Sequence, residues 1–298
     1  MSADGAPEVD WSALEGLRDP ILVVALRGWF DVAGAATTAV DLLAEERPVR
    51  VAASFDPDPY FDFTQERPDV WIDDDGERRI RWPENDLLAV RCDGSAHDLL
   101  LLAGVEPHLQ WTAFTDGLLQ CAARAGSRIV VTVGATADGT PHTRRPLVAA
   151  STTDPALARR LGLSAPRYQG PTGVVGVLHE QLPRRGITGV SLRVGVPHYL
   201  ASSQHPRSTA ALLQHLEHVL GSPTGHQRLE DEIAHWSEMH DAAMDGDEQA
   251  IDYVAMLEED YDRRAEEQVS SADEIGAEFE RWLRERPDDP DDPDDPAD

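Results

Sequence analysis

Four short stretches of this chain carry side chains suited to catalysis or to ligand binding. They are Gly28-Trp29-Phe30-Asp31, Gly104-Val105-Glu106-Pro107-His108, residues 141–146 (PHTRRP) and Gly170-Pro171-Thr172-Gly173. His142 and Arg144 place a titratable imidazole two positions from a permanent cation. Glu106 adds a carboxylate that can hold a hydroxyl or accept a proton. The candidate catalytic residues are therefore Glu106, His142 and Arg144.

Each of these residues also has a structural interpretation that the sequence leaves open. Asp31 can cap a helix that begins at the next residue, and Glu106 can lie in the first turn before the following helix. His142 can bond neighbouring loops, and the Gly170–Gly173 turn can be a plain turn rather than a set of helix amides that bind an anion. The candidate binding residues are Gly28, Trp29, Asp31, Arg67, Gly104, Glu106, His142, Thr143, Arg144, Gly170 and Gly173.

The residue types that are missing exclude several kinds of chemistry. All 26 basic residues are arginines, so a P-loop lysine, a Schiff-base lysine and a lysine general base are excluded. No GxSxG elbow and no HExxH motif occurs. A di-iron bundle needs two ExxH motifs, and only Glu232 and His235 form one. We therefore expect neither a metal nor a cofactor.

The charge is concentrated at the end of the chain. Residues 229–298 hold 27 of the 55 acidic and five of the 26 basic residues, so this segment carries −22 of the net charge of −29. Such a surface repels nucleic acid and anionic membranes, and neither is expected as a partner. Two unrelated cysteines and a start without a signal-peptide pattern predict a cytoplasmic protein with free thiols.

Four continuous apolar runs predict buried strands of a parallel or mixed sheet. They are Ile21–Arg27, Val49–Phe55, Asp98–Gly104 and Arg128–Gly134. Helical patterns follow the first run over 32–45 and the third over 109–125. Alternation of this kind indicates an α/β fold with right-handed crossovers, in which the functional-looking stretches lie just beyond strand ends.

The remaining pattern divides the chain into a core and an extension. Residues 1–221 are expected to form the α/β core, with a polar and Pro-rich excursion at the sheet edge over 57–91. Residues 222–286 are expected to form an acidic all-α extension, including a last helix over 275–283. Residues 287–298 are an Asp/Pro repeat that is expected to be disordered.

Six stretches in order resemble the actinobacterial branch of the proteasome assembly chaperone family, of the second-subunit type. They are LVVALRGWFDVAGAA, FDFTQERPDV, LLLAGVEPHLQW, VGATADGTPHTRRP, YQGPTGVVGVL and VPHYL. The residues that match the family pattern are Gly28, Trp29, Asp31, Arg67, Pro68, Gly104, Glu106, Pro107, Trp111, His142, Thr143 and Arg144. The resemblance implies a three-layer α/β/α core similar to that of phosphorylases and hydrolases.

The resemblance also implies a function and partners. It implies a non-enzymatic, self-associating chaperone that forms a homo-oligomer, a trimer in our expectation, and that binds proteasome components. The alternative is a small-molecule enzyme that binds a nucleoside or an anion at the strand ends. One departure concerns docking: related chaperones often end in a hydrophobic-Tyr-any tail, whereas this chain ends in Asp295-Pro296-Ala297-Asp298.

Overall fold

The computed structural model describes residues 6–45, 47–160 and 168–267, and its centre is an eight-stranded mixed sheet. The strands of this sheet are β1 (Glu8–Val9), β2 (Ile21–Arg27), β3 (Val49–Ser54), β6 (Asp86–Val90), β7 (Leu99–Val105), β8 (Ile129–Asp138), β9 (Val148–Thr152) and β10 (Thr188–Pro197). Two further strands, β4 (Asp69–Ile72) and β5 (Arg78–Arg81), form a separate ribbon. The helices are α1 (Trp11–Leu14), α2 (Ala35–Ala44), α3 (Trp111–Arg124), α4 (Pro155–Arg160), α5 (Val174–Gln181), α6 (Pro206–Leu220), α7 (Glu230–Met244) and α8 (Glu248–Glu267).

The strand order is β1-β3-β6-β7-β2-β8-β10-β9. The four central strands β7, β2, β8 and β10 run parallel, and every other pairing is antiparallel. The carboxyl ends of the parallel strands therefore meet at one edge of the sheet, where α/β folds bind ligands. This edge carries most of the stretches singled out in the sequence.

The two faces of the sheet build two hydrophobic cores. Val23 and Ala25 of β2 pack with α2 and α6 on one face, whereas Leu22 and Val24 pack with α1, α3 and α5 on the other. Successive side chains of a strand point to opposite faces, so an uninterrupted apolar run fills both cores at once. The result is the predicted three-layer α/β/α fold with a mixed sheet.

The predicted strands agree with the observed ones to within a few residues, and the excursion over 57–91 differs in one part. Its last residues, Asp86–Val90, form β6 within the main sheet, between β3 and β7. Leu87 and Val90 are fully buried there, which explains why this segment belongs to the core rather than to the edge. The Asp73-Asp74-Asp75-Gly76 sequence lies at the turn between β4 and β5.

The C-terminal part of the described chain is the helical pair α7 and α8, separated by a break at Asp245-Gly246-Asp247. Trp236 of α7 and Val254, Leu257 and Tyr261 of α8 are buried. None of the helices in the described ranges combines the length and the apolar character that a membrane crossing requires. The predicted helix over 275–283 and the predicted disordered tail lie outside the described residues.

Candidate functional site

Asp31 follows β2 and holds the beginning of α2. Its carboxylate accepts hydrogen bonds from the backbone N–H groups of Ala36 (2.7 Å) and Thr37 (3.3 Å). The side chain is only 5% exposed, and burial raises its pKa although these hydrogen bonds oppose the shift. The predicted cap is present, but a 3-10 turn over 32–34 comes first, so the helix begins at Ala35 rather than at Val32. Asp31 therefore stabilises the N-terminus of α2 by pairing with its free N–H groups.

Glu106 follows β7 and performs a similar task for α5. Its Oε1 accepts a hydrogen bond of 3.0 Å from the backbone N–H of Val174, the first residue of that helix. Gly28 has a φ of +154°, and a Cβ there would lie 2.9 Å from Oε2 of Glu106, so only glycine fits beside the carboxylate. The backbone N–H of Val174 at the N-terminus of α5 is therefore paired with a carboxylate of the same chain.

Three other predicted binding residues have clear positions in the structure. Gly104 makes room for Asn85, whose side chain donates to the carbonyl of Val105 (3.0 Å) and accepts from its N–H (2.8 Å). Gly170 has a φ of +155° in the turn that precedes α5, and Arg67 is exposed in the segment before β4. Gly104 is thus required for packing between β6 and β7.

His142 lies in the loop between β8 and β9 and is buried beneath α7. Its Nδ1 lies 2.8 Å from the hydroxyl of Tyr199, and its Nε2 lies 3.4 Å from a carboxylate oxygen of Asp241. The ring also contacts Trp236 and His240 of α7. Burial lowers the pKa of His142, and Asp241 partly opposes this shift. These contacts give His142 the role that the sequence left open, that of joining neighbouring segments.

Arg144 and Thr143 extend the same loop to α8. The guanidinium of Arg144 makes two hydrogen bonds to the carboxylate of Asp262, at 2.9 and 3.0 Å, and a third to Glu258 at 3.0 Å. The hydroxyl of Thr143 donates to the same carboxylate oxygen of Glu258. Arg144 thus fastens α8 to the core, and its charge is paired within the chain.

The structure does not bring the three candidate catalytic residues to a common atom. Glu106 contacts the beginning of α5, whereas His142 and Arg144 contact α7 and α8. Neither His142 nor Arg144 lines the cleft that Glu106 borders. These loops do not converge, because the loop between β8 and β9 is bound by the C-terminal helices.

The cleft itself lies between α5, β9 and β10 at the carboxyl end of the sheet and has a volume of about 430 Å³. Trp29 and Tyr168 stand at its mouth, 68% and 72% exposed. The hydroxyl of Tyr168 donates to the carbonyl of Pro171 at 2.9 Å, which fixes the position of the ring. Three of the predicted binding residues, Trp29, Glu106 and Gly173, line this cleft.

A search of curated proteins found no match to this chain. The sequence profile described as the PAC2 family matches residues 25–244. This chain belongs to the PAC2 family. The PAC2 family protein of Streptomyces avermitilis is 39% identical, with a TM-score of 0.72, and the match covers 79% of this chain and 100% of the other. A Mycobacterium tuberculosis proteasome-assembly chaperone homologue is 33% identical, with a TM-score of 0.71, over 78% of this chain and 99% of the other.

A more distant match extends the likeness of fold to archaea. An archaeal proteasome activator of Pyrococcus furiosus has a TM-score of 0.61 at 17% identity, over 77% of this chain and 95% of the other. At that identity only the fold is shared. Within the described ranges of this PAC2 family member, no group of three or more His, Cys, Asp or Glu side chains could hold a metal ion.

Of the described residues that line the cleft, only Trp29, Glu106 and Gly173 were chosen from the sequence; His179 and Arg193 are two that were missed. His179 of α5 places its Nε2 2.7 Å from the hydroxyl of Thr132, and burial lowers its pKa to about 4. Arg193 lies on β10 and borders the cleft. A sequence signal did exist for Arg193, because it is the one charged residue of its strand.

Proposed function

We propose that this protein is a non-enzymatic protein-binding factor that acts in assembly and has proteasome components as its partners. The likeness to the Mycobacterium tuberculosis proteasome-assembly chaperone homologue supports the partner class. The engagement of Glu106, His142 and Arg144 in internal contacts supports a non-catalytic role. We place the protein in the cytoplasm, where such partners would be met.

The observation that carries this proposal is the exposed ribbon of β4 and β5. Val70, Ile72 and Ile80 share one face of the ribbon, and their side chains are 52%, 64% and 52% exposed. Val70 and Ile80 lie directly opposite each other across the two strands, and Ile72 lies two residues further along. The ribbon thus presents an apolar strip of three side chains, bordered by the exposed Arg78 opposite Ile72, that the described part of the chain leaves uncovered.

The charged side chains on the other face of the ribbon already have partners within the chain. Arg79 pairs with Asp73 at 2.8 Å, Arg81 pairs with Asp69 at 3.4 Å, and the Arg81 guanidinium lies 5.7 Å from the ring of Trp71. A two-stranded ribbon alone has marginal stability in water, so an uncovered apolar face favours a partner. The partner that we assign to this face is a proteasome subunit.

Self-association is a second part of the proposal. A homotrimer of this chain would contain three copies of 32.7 kDa, and light scattering coupled to gel filtration measures that mass directly. An acidic chain with a net charge of −29 repels its own copies, so the contact should strengthen as added salt screens the repulsion. A mass equal to one chain at every salt concentration would contradict self-association.

Co-elution with recombinant α and β subunits of an actinobacterial proteasome core tests partner binding. The double variant Ile72→Ser, Ile80→Ser should weaken the complex roughly tenfold or more, because it removes the centre of the apolar strip. Met239→Ser is the matched control, since it removes a side chain of α7 that is 51% exposed on another surface. Absence of any complex with the wild-type protein would overturn the proposal, and unchanged binding by the double variant would overturn the assignment to the ribbon. Loss of self-association alone in that variant would assign the ribbon to contacts between copies.

A further inference from the structure

The sheet face beneath α5 becomes polar at its carboxyl end, although the opposite face does not. Thr132 and Thr136 of β8 and Ser191 and Arg193 of β10 lie on the α5 side. Beyond Thr188, the opposite face of the two strands is apolar, with Ile129, Val131, Val133, Ala135, Val190, Leu192, Val194 and Val196. A sheet face that is covered only by protein core is apolar. Thr132 is buried against His179, whereas Thr136, Ser191 and Arg193 line the cleft. The carboxyl-terminal part of this polar stretch is therefore the part of the face that core side chains do not cover.

Arg193 supplies a positive charge at the floor of the cleft. It is exposed, and it forms no ion pair with any of the residues that the structure describes. Glu106 is the acidic residue among the described lining, and its Oε1 is directed at the N–H of Val174. Arg193 also borders a neighbouring cavity with Asp138, whose Oδ1 accepts from the N–H of Thr140. The guanidinium is thus available to an anion that enters the cleft.

The remaining walls of the cleft combine aromatic surface with uncharged hydrogen-bonding groups. Trp29 and Tyr168 offer exposed rings at the mouth, and Leu26 and Val175 add aliphatic surface. The imidazole of His179 is neutral near pH 7, because burial lowers its pKa to about 4. A volume of about 430 Å³ lies at the small end of the range for ligand pockets.

We propose that this cleft binds a small aromatic molecule that carries one anionic group, with the ring against Trp29 and Tyr168 and the anion on Arg193. Carboxylates and phosphates share this chemistry, and both reach Arg193 as bidentate acceptors. The hydroxyls of Ser151 and Ser191, which face each other across β9 and β10, can hold polar atoms between the ring and the anion. This site is independent of proteasome binding, and neither proposal depends on the other.

Calorimetric titration with two matched pairs of probes tests the proposal. Indole-3-acetate is compared with neutral indole-3-acetamide, and adenosine monophosphate is compared with adenosine. At least one anion should bind more tightly than its neutral match, and Arg193→Gln should weaken that anion tenfold or more, about 1.4 kcal/mol, while changing the neutral probe less than about twofold. Which anion binds distinguishes a carboxylate ligand from a phosphate ligand.

Further variants keep the test decisive. Arg193→Lys should retain part of the preference for the anion, and Trp29→Ala should weaken the anionic and neutral probes alike. Arg124→Gln, which removes an arginine of α3 that is 60% exposed in its side chain, should leave both affinities unchanged. The proposal is overturned if neither anion binds at millimolar concentration, or if Arg193→Gln binds the preferred anion as tightly as the wild-type protein does.

Discussion

Between pH 7.0 and 4.5, His205 should lower the free energy of unfolding of the wild-type protein by about 2.5 kcal/mol. Replacing His205 by asparagine should abolish this part of the acid-induced destabilisation. His205 is 1% exposed, its Nδ1 accepts a hydrogen bond of 3.1 Å from the N–H of Ser208, and its ring lies 4.6 Å from that of Trp236. Burial lowers its pKa to about 3, and the charges of Arg207 and His240 act in the same direction. The folded protein therefore holds this imidazole neutral throughout that pH range.

The sign and the magnitude follow from proton linkage. The unfolded chain binds a proton at His205 with a pKa of about 6.5, whereas the folded chain does not bind it until about 3. The stabilising effect of the neutral imidazole is complete above the unfolded pKa and is lost as the pH falls toward the folded pKa. At pH 4.5, which is two units below the unfolded pKa, the loss of stability is about 2.7 kcal/mol, at 1.36 kcal/mol per unit. About 0.2 kcal/mol of this is already lost at pH 7.0, which leaves about 2.5 kcal/mol between the two pH values.

Asparagine is the informative replacement because it retains the cap of α6. Its side-chain oxygen can accept from the N–H of Ser208, while it has no proton to bind in this range. Urea unfolding of both proteins at pH 7.0 and 4.5 gives the four free energies of unfolding. The variant should be less stable at pH 7.0 by roughly 1–3 kcal/mol, and its pH dependence should be weaker. A pH dependence equal to that of the wild type would refute the assignment, and His235→Asn, at an exposed position of α7, serves as the control.

Three further predictions concern the residues chosen from the sequence. Glu106→Ala should lower the free energy of unfolding by about 1 kcal/mol through loss of the α5 cap, and Glu106→Gln should cost less; equal losses in urea unfolding would argue against capping. Gly104→Ala should cost roughly 2–4 kcal/mol in the same assay, because a Cβ would lie 1.9 Å from Oδ1 of Asn85, and a neutral effect would contradict this packing. Arg144→Met should accelerate cleavage within α8 by a glutamate-specific protease, whereas Arg263→Met should not; equal rates would contradict the role of Arg144 in fastening α8.

The central strands could be predicted from the sequence because their apolarity is continuous. The observed strands β2 and β7 begin and end within one residue of the predicted runs. The segment of β6 was harder to recognise, since five residues after a polar ribbon give little pattern of their own. Its place in the sheet depends on pairing with both β3 and β7, and these two strands lie far from each other in sequence.

The candidate site shows the same division between local and long-range information. The cap at Asp31 is a local event at a strand-to-helix junction, and the sequence offered it as an alternative. Glu106 instead caps α5, far along the chain, and not the helix that directly follows it, as the sequence suggested. The burial of His142 depends on Asp241, about a hundred residues later, and no spacing rule anticipates such a contact. His179 and Arg193 form part of a cleft only after β10 is placed beside β8.

The most direct test of the proposed assembly function follows core-particle formation in time by native mass spectrometry. Separately purified α and β subunits of an actinobacterial proteasome are mixed with and without an equimolar amount of this protein. An assembly factor should appear bound to incomplete intermediates, should change their rate of conversion, and should be absent from the finished particle. Identical assembly kinetics, with this protein bound to no intermediate, would contradict the proposed function.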